Sequence, residues 1–296
     1  MTEGTPPPPN QPTYKVIADL FQVPQGEALE IREERRKREG ETAEESDELG
    51  RQSLNDGDFE GAIRHFRRAI EQRDATDISS RIDLAGAYEY GDQYPQAMRQ
   101  YEKALRLHEE ASEPLVGMSD LYKRYGRFRD AIQTLEEAVQ REPENPYYHI
   151  KLAETLRDAG ERKRALAAAQ RAVLAKPDEA FYHYWIGDLL TEMGQFDDAL
   201  ESLRAAIELS PGDDYLYLRA AVAFWRANRR PEAIKAVRLA SDLDPAKHLY
   251  HGLLGILLEE MDQMEEARLE SDRAKKMDRY DHDLLGRLMD EMQIEL

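Results

Sequence analysis

Across residues 180–213, apolar side chains fall at Tyr182, Trp185, Ile186 and Leu189, the spacing of one helical face. Gly194 follows, a residue suited to the positive φ that closes a helix. The pattern resumes with Ala199, Leu200, Leu203, Ala206 and Ile207 on one face. Pro211 ends it, because proline lacks an N–H and clashes with the preceding turn. Two short amphipathic helices joined by a tight turn are predicted. Gly187, Ala199 and Ala206 are small, so the two backbones are expected to approach closely while the large residues fill the gaps.

The pattern recurs. "GQFDDALESLRAAIELSPGD" at 194–213 has the skeleton of "GRFRDAIQTLEEAVQREPEN" at 126–145. The first alanine of the motif returns at Ala62, Ala97, Ala131, Ala165, Ala199, Ala233 and Ala267, spaced by 35 and then five times by 34 residues. A second alanine follows each by seven, at Ala69, Ala104, Ala138, Ala172, Ala206, Ala240 and Ala274. One helix pair cannot bury its apolar face alone, whereas stacked pairs share a continuous core. The predicted fold class is therefore all-α, a solenoid of seven helix pairs.

These positions resemble the tetratricopeptide repeat family over residues 43–281. The match is carried by Leu49, Gly50, Phe59, Ala62, Phe66 and Ala69 in the first unit. In the second it is carried by Leu84, Ala85, Tyr88, Tyr94, Ala97, Tyr101 and Ala104, and the closing prolines are Pro143, Pro177, Pro211 and Pro245. Asp74, Glu109 and Arg279 stand where that proline belongs, and Asn228 and Asp262 where the turn glycine belongs. The resemblance implies a right-handed α-solenoid with repeats at 43–77, 78–111, 112–145, 146–179, 180–213, 214–247 and 248–281. Residues 282–296 are expected to form a capping helix, with Leu284, Leu285, Leu288, Met289 and Met292 on its apolar stripe.

Residues 1–42 read as an N-terminal arm. The first twelve are proline-rich and expected to be disordered. Tyr14, Ile17, Leu20 and Phe21 share one helical face, and a charged stretch with Arg32, Arg35, Arg36, Lys37 and Arg38 reads as a solvated helix laced with i,i+4 pairs. "TAEE" at 42–45 looks like a capping box that starts the first repeat.

Charge narrows the partners. A net −19 repels nucleic acid and anionic lipid. With no cysteine, there is no disulfide framework, thiolate metal site or cysteine nucleophile. The start does not read as a signal peptide, and no apolar run is long enough to span a membrane, so a cytoplasmic protein is expected. No phosphate loop, nucleophile elbow or H-E-x-x-H motif is present. No enzyme, cofactor or metal is expected. His149 and His183 are equivalent positions about 10 Å apart in a stack, too far to share a metal, and read as filler between helices. His248 and His251, with His282, are the weak metal alternative.

The resemblance further implies that the first helix of each pair lines a concave groove through its second, fifth, ninth and twelfth positions. The third repeat contributes Glu113, Val116, Asp120 and Lys123, and the fourth Tyr147, Ile150, Glu154 and Arg157. The fifth contributes Phe181, Tyr184, Asp188 and Thr191, and the sixth Tyr215, Leu218, Val222 and Trp225. The candidate peptide site is Tyr147, Glu154, Phe181, Tyr184, Asp188, Tyr215, Leu218 and Trp225. Second-position aromatics can instead plug the seams between repeats. Tyr184 and Trp225 are expected to be exposed and Trp185 to turn inward. Rigid aromatics beside acids suit an apolar or basic peptide or protein partner. The lysine–arginine–asparagine clamp of chaperone-tail binders is missing: fifth and ninth positions read Asp47 and Arg51, Ile82 and Gly86, Val116 and Asp120. A protein-interaction scaffold is expected. A groove filled by the chain's own apolar and basic arm is the alternative, and the termini are the surfaces open to oligomerisation.

Overall fold

The computed structural model describes residues 42–73 and 77–294. Among them are fifteen α-helices, one 3-10 turn and no strand. Pairs one and two are α1 (Ala43–Asn55) with α2 (Phe59–Gln72) and α3 (Ser79–Tyr90) with α4 (Tyr94–Leu107). Pairs three to five are α5 (Glu113–Arg124) with α6 (Phe128–Arg141), α7 (Pro146–Asp158) with α8 (Arg162–Ala175), and α9 (Ala180–Glu192) with α10 (Phe196–Leu209). Pairs six and seven are α11 (Asp214–Arg226) with α12 (Arg230–Leu243) and α13 (His248–Glu259) with α14 (Met264–Arg273). The last helix is α15 (Arg279–Met292). The chain forms two compact units, divided between Pro114 and Leu115 at the start of α5. Of the arm, residues 1–41 lie outside the described residues.

Small residues set the packing. Thirteen of the fourteen repeat alanines are fully buried, and Ala274 is nearly so. A third small position falls at Gly50, Ala85, Ser119, Ala153, Gly187, Ala221 and Gly255 on the first helices. At Gly187 an added Cβ would sit 2.6 Å from Leu203 Cγ and 3.2 Å from the Ala199 carbonyl. The first and second helices of that pair therefore touch backbone to side chain, with no layer between them.

The turn inside each pair repeats as well. Gly57, Asp92, Gly126, Gly160, Gly194, Asn228 and Asp262 all take positive φ, between 56° and 80°. Asparagine and aspartate tolerate this conformation better than other side chains do. That is why the missing turn glycines leave the fold intact. The first helix starts at the expected capping box: Thr42 Oγ1 accepts from Glu45 N–H at 3.2 Å, and Glu45 accepts from Thr42 N–H at 2.8 Å.

In the second unit, α15 follows a 3-10 turn (Ala274–Lys276) and packs on α13 and α11, the first helices of pairs seven and six. Leu285, Leu288, Met289 and Met292 are buried in one cluster with Leu218, Val222, Trp225, Leu253 and Leu257. Gly252 admits this approach, since a Cβ there would lie 3.2 Å from Leu285 Cδ2. The cap thus covers the first-helix side of the last two pairs and begins three residues earlier than expected.

Candidate functional site

The candidate site lies in the second unit, on the face made by the first helices α7, α9 and α11. The second-position aromatics point outward: Tyr147, Phe181 and Tyr215 are 52%, 48% and 42% exposed. Phe181 meets Tyr184 at 6.1 Å between ring centroids, and Tyr184 meets Tyr215 at 5.6 Å. Phe181 also packs edge-on to Trp185 at 6.4 Å. These contacts join α9 and α11 in one aromatic row. Tyr184 is half-buried, and its hydroxyl oxygen is 3.4 Å from that of Tyr215. Burial and the nearby Asp188 carboxylate push the Tyr184 hydroxyl well above the ordinary tyrosine range, so it stays neutral. Trp185 turns inward, 7% exposed, with the Arg157 guanidinium 4.2 Å above its ring.

Two of the candidate site residues are covered, one of them expected to be exposed. Trp225 is 7% exposed, sits in the cluster with α13 and α15, and carries the Arg230 guanidinium 4.8 Å above its ring. Leu218 is buried in the same cluster. The resemblance places both on an open groove, but here the last helix folds onto that stretch. Neither is an accessible peptide contact in this state.

The acids are also engaged. Glu154 accepts from Lys123 Nζ at 2.6 Å and lies 3.7 Å from Lys151 Nζ. Burial alone would raise the Glu154 pKa, but the Lys123 hydrogen bond and the two lysine charges outweigh it and hold it below the usual value. Asp188 is buried and accepts from Arg219, with Arg157 Nη1 at 3.4 Å. The arrangement repeats. A twelfth-position cation of one pair meets the ninth- and thirteenth-position acids of the next: Lys123 with Glu154 and Asp158, Arg157 with Asp188 and Glu192. A sixth-position cation reaches back to the preceding ninth-position acid: Lys151 to Asp120, Arg219 to Asp188. The expectation of a basic partner rested on free acids at Glu154 and Asp188, and this ladder removes that basis.

Arg219, Arg226 and Lys151 were not foreseen as groove residues. A signal for two of them was present in the sequence, as acid–base pairs spaced 31 residues apart: 120 with 151, and 188 with 219. Between α9, α11 and the end of α15 lies a cleft of about 490 Å³. Four arginines, Arg157, Arg162, Arg219 and Arg226, line it against three carboxylates, Asp188, Glu192 and Glu291. Arg219 Nη1 donates to Glu291 at 2.5 Å, and Arg226 Nη1 to the Glu291 carbonyl at 3.3 Å.

Two histidines serve the turns. His149 Nε2 lies 2.8 Å from the Pro143 carbonyl and His183 Nε2 2.8 Å from that of Pro177, while the equivalent Tyr217 hydroxyl donates to Pro211 at 3.1 Å. His251 instead meets Glu270 at 2.7 Å. Among the described residues no three acidic or histidine side chains cluster as a metal site, and no helix is long and apolar enough to cross a membrane.

Two tetratricopeptide repeat models match the sequence, one at residues 90–149 and 190–257, the other at 150–214. No curated protein matches. A tetratricopeptide repeat protein from Parabacteroides merdae superposes with a TM-score of 0.60 at 16% identity, covering 85% of this chain and 98% of its own. YrrB, a TPR protein with an unusual peptide-binding site, gives 0.50 at 24% identity, covering 67% and 97%. The APC/C hetero-tetramer Cut9–Hcn1 gives 0.55 at 19% identity over 73% of this chain and 43% of that one. At such identities the likeness speaks to the fold. It agrees with the period, the buried alanines and the matched models, which together span most of the repeats: the chain belongs to the tetratricopeptide repeat family.

Proposed function

We propose that this chain is a non-enzymatic interaction scaffold whose second unit holds an apolar segment of a partner protein against the row Tyr147, Phe181, Tyr184 and Tyr215. The observation that carries this reading is the exposure of three rigid aromatics on successive first helices, α9 and α11 being linked by ring contacts. Such side chains bring large area at small entropic cost. Glu154 and Asp188 then shape the wall by fixing Lys123, Lys151, Arg157 and Arg219, instead of meeting the partner's charges. The peptide-binding site recorded for YrrB supports this use of the fold. The basic run of the arm would meet a cleft whose four arginines outnumber its three carboxylates. Charge therefore disfavours the arm as its occupant, and a chain without residues 1–41 should bind a partner as the full chain does.

The test is a partner fixed by cross-linking to the full chain, followed by hydrogen exchange and alanine substitution. Binding should protect α7, α9 and α11. Phe181→Ala and Tyr184→Ala should each weaken it by about tenfold or more. Affinity unchanged in both variants would move the site off this face.

A further inference from the structure

We infer that α15 is an internal ligand held in the groove, and that the stretch it covers on α11 and α13 takes an amphipathic helix of another protein bearing a carboxylate. The inference rests on the groove reading above and adds the class of partner at its far end. Four features of α15 support it.

First, α15 presents Leu285, Leu288, Met289 and Met292, which are i, i+3, i+4 and i+7, to the first-helix face. This is how a helix docks in an apolar groove. Second, the seam is not closed by apolar contact alone. Glu291 reaches Arg219, and Arg219 is 8% exposed with its Nε unpartnered. A buried guanidinium with an unmet donor gains little from a permanent cap and is satisfied as well by another carboxylate or by water.

Third, the middle of α15 carries Gly286. Nothing lies within 4 Å of the place its Cβ would take. No packing demands glycine there, and glycine weakens a helix interior relative to alanine. Fourth, α15 is joined through the 3-10 turn and two non-helical residues, Met277 with ψ 136° and Asp278 with ψ 180°. A tethered helix competes at high effective concentration, so an outside helix meets a closed groove unless α15 is weakened.

The experiment uses the full chain and a synthetic peptide of residues 279–294. Leu288→Asp loosens α15 and leaves the groove side chains intact, while Gly286→Ala stiffens α15. The peptide should bind the Leu288→Asp chain at least tenfold tighter than the parent, and the Gly286→Ala chain several-fold more weakly. Adding Arg219→Gln to Leu288→Asp should cost about tenfold, whereas adding Phe181→Ala should change little, because Phe181 belongs to the aromatic row. Equal peptide binding by parent, Leu288→Asp and Gly286→Ala, or none at all, would show a fixed cap and overturn the inference, leaving the aromatic-row reading untouched. Loss of the Leu288→Asp fold, read by circular dichroism, would pass the decision to Gly286→Ala against the parent. A parent that sediments as a dimer exchanging α15 would replace the foreign helix with a second copy, and so overturn it too.

Discussion

Gly187 leaves no space for another carbon, and neither do Gly50 and Gly255 at the equivalent position. Gly187→Ala should cost about 1–3 kcal/mol, because Leu203 and the Ala199 carbonyl would have to shift. Ala199→Leu should cost at least as much, while Ala205→Leu, half-exposed on the same helix, should melt close to the parent. Thermal denaturation of the set checks the register. Asp188 belongs to this scale as well. Asp188→Asn leaves the buried Arg219 with Glu291 as its remaining carboxylate, so it should lower stability by about 2 kcal/mol. A variant that melts with the parent would show that the pair is dispensable. The inward turn of Trp185 was readable from spacing alone. Trp225 was not, because its cover comes from α13 and α15, which a rule about one repeat cannot include.

At the scale of elements, the connection from α2 to α3 is stapled by one arginine. Arg73 donates to Asp47 at 2.6 Å and to Asp77 at 2.5 Å. The Arg73 hydrogen bond, against some opposition from burial, brings the Asp77 carboxyl down from 3.8 to about 2. A lowered acid stabilises the fold above its ordinary pKa and loses that contribution as pH falls through the native value. The Asp77 share, about 1 kcal/mol after screening, should thus vanish between pH 4 and 2. Asp77→Asn should melt lower than the parent at pH 7 and alike at pH 2; a constant gap across that range would be inconsistent with this assignment. The helices themselves were legible, down to the capping box at Thr42, since their signals lie within a few neighbouring residues. The ion ladder was less so. Its partners are a repeat apart, and only the assembled stack brings a twelfth position beside the next ninth.

At the scale of the molecule, contacts between near neighbours make stability local. In the second unit, pairs four to six have helices on both sides, so α7 to α12 should exchange their amides most slowly. Truncating the chain after residue 278, which removes α15, should speed exchange in α11 and α13 ahead of α7 and α8, because α15 covers the former. Uniform acceleration along the unit would instead indicate one cooperative block. Fold class and repeat number were legible because a period is a global signal. The charge character of the groove was not, because counting acids on one wall ignores the cations brought in from the neighbours.

The same ladder has a consequence for how such a chain can change length. Each rung joins a donor on one pair to an acceptor on the next, so Lys123 and Arg157 are addressed forward and Lys151 and Arg219 backward. Excising a whole 34-residue block keeps the spacing of 31 across the junction, whereas a cut of 33 or 35 shifts the charges on its two sides off one another. Duplication and loss by whole repeats therefore preserve the register of this surface. A shuffled order would fail even with each repeat intact, since Val222 and Trp225 in pair six offer no rung for a successor.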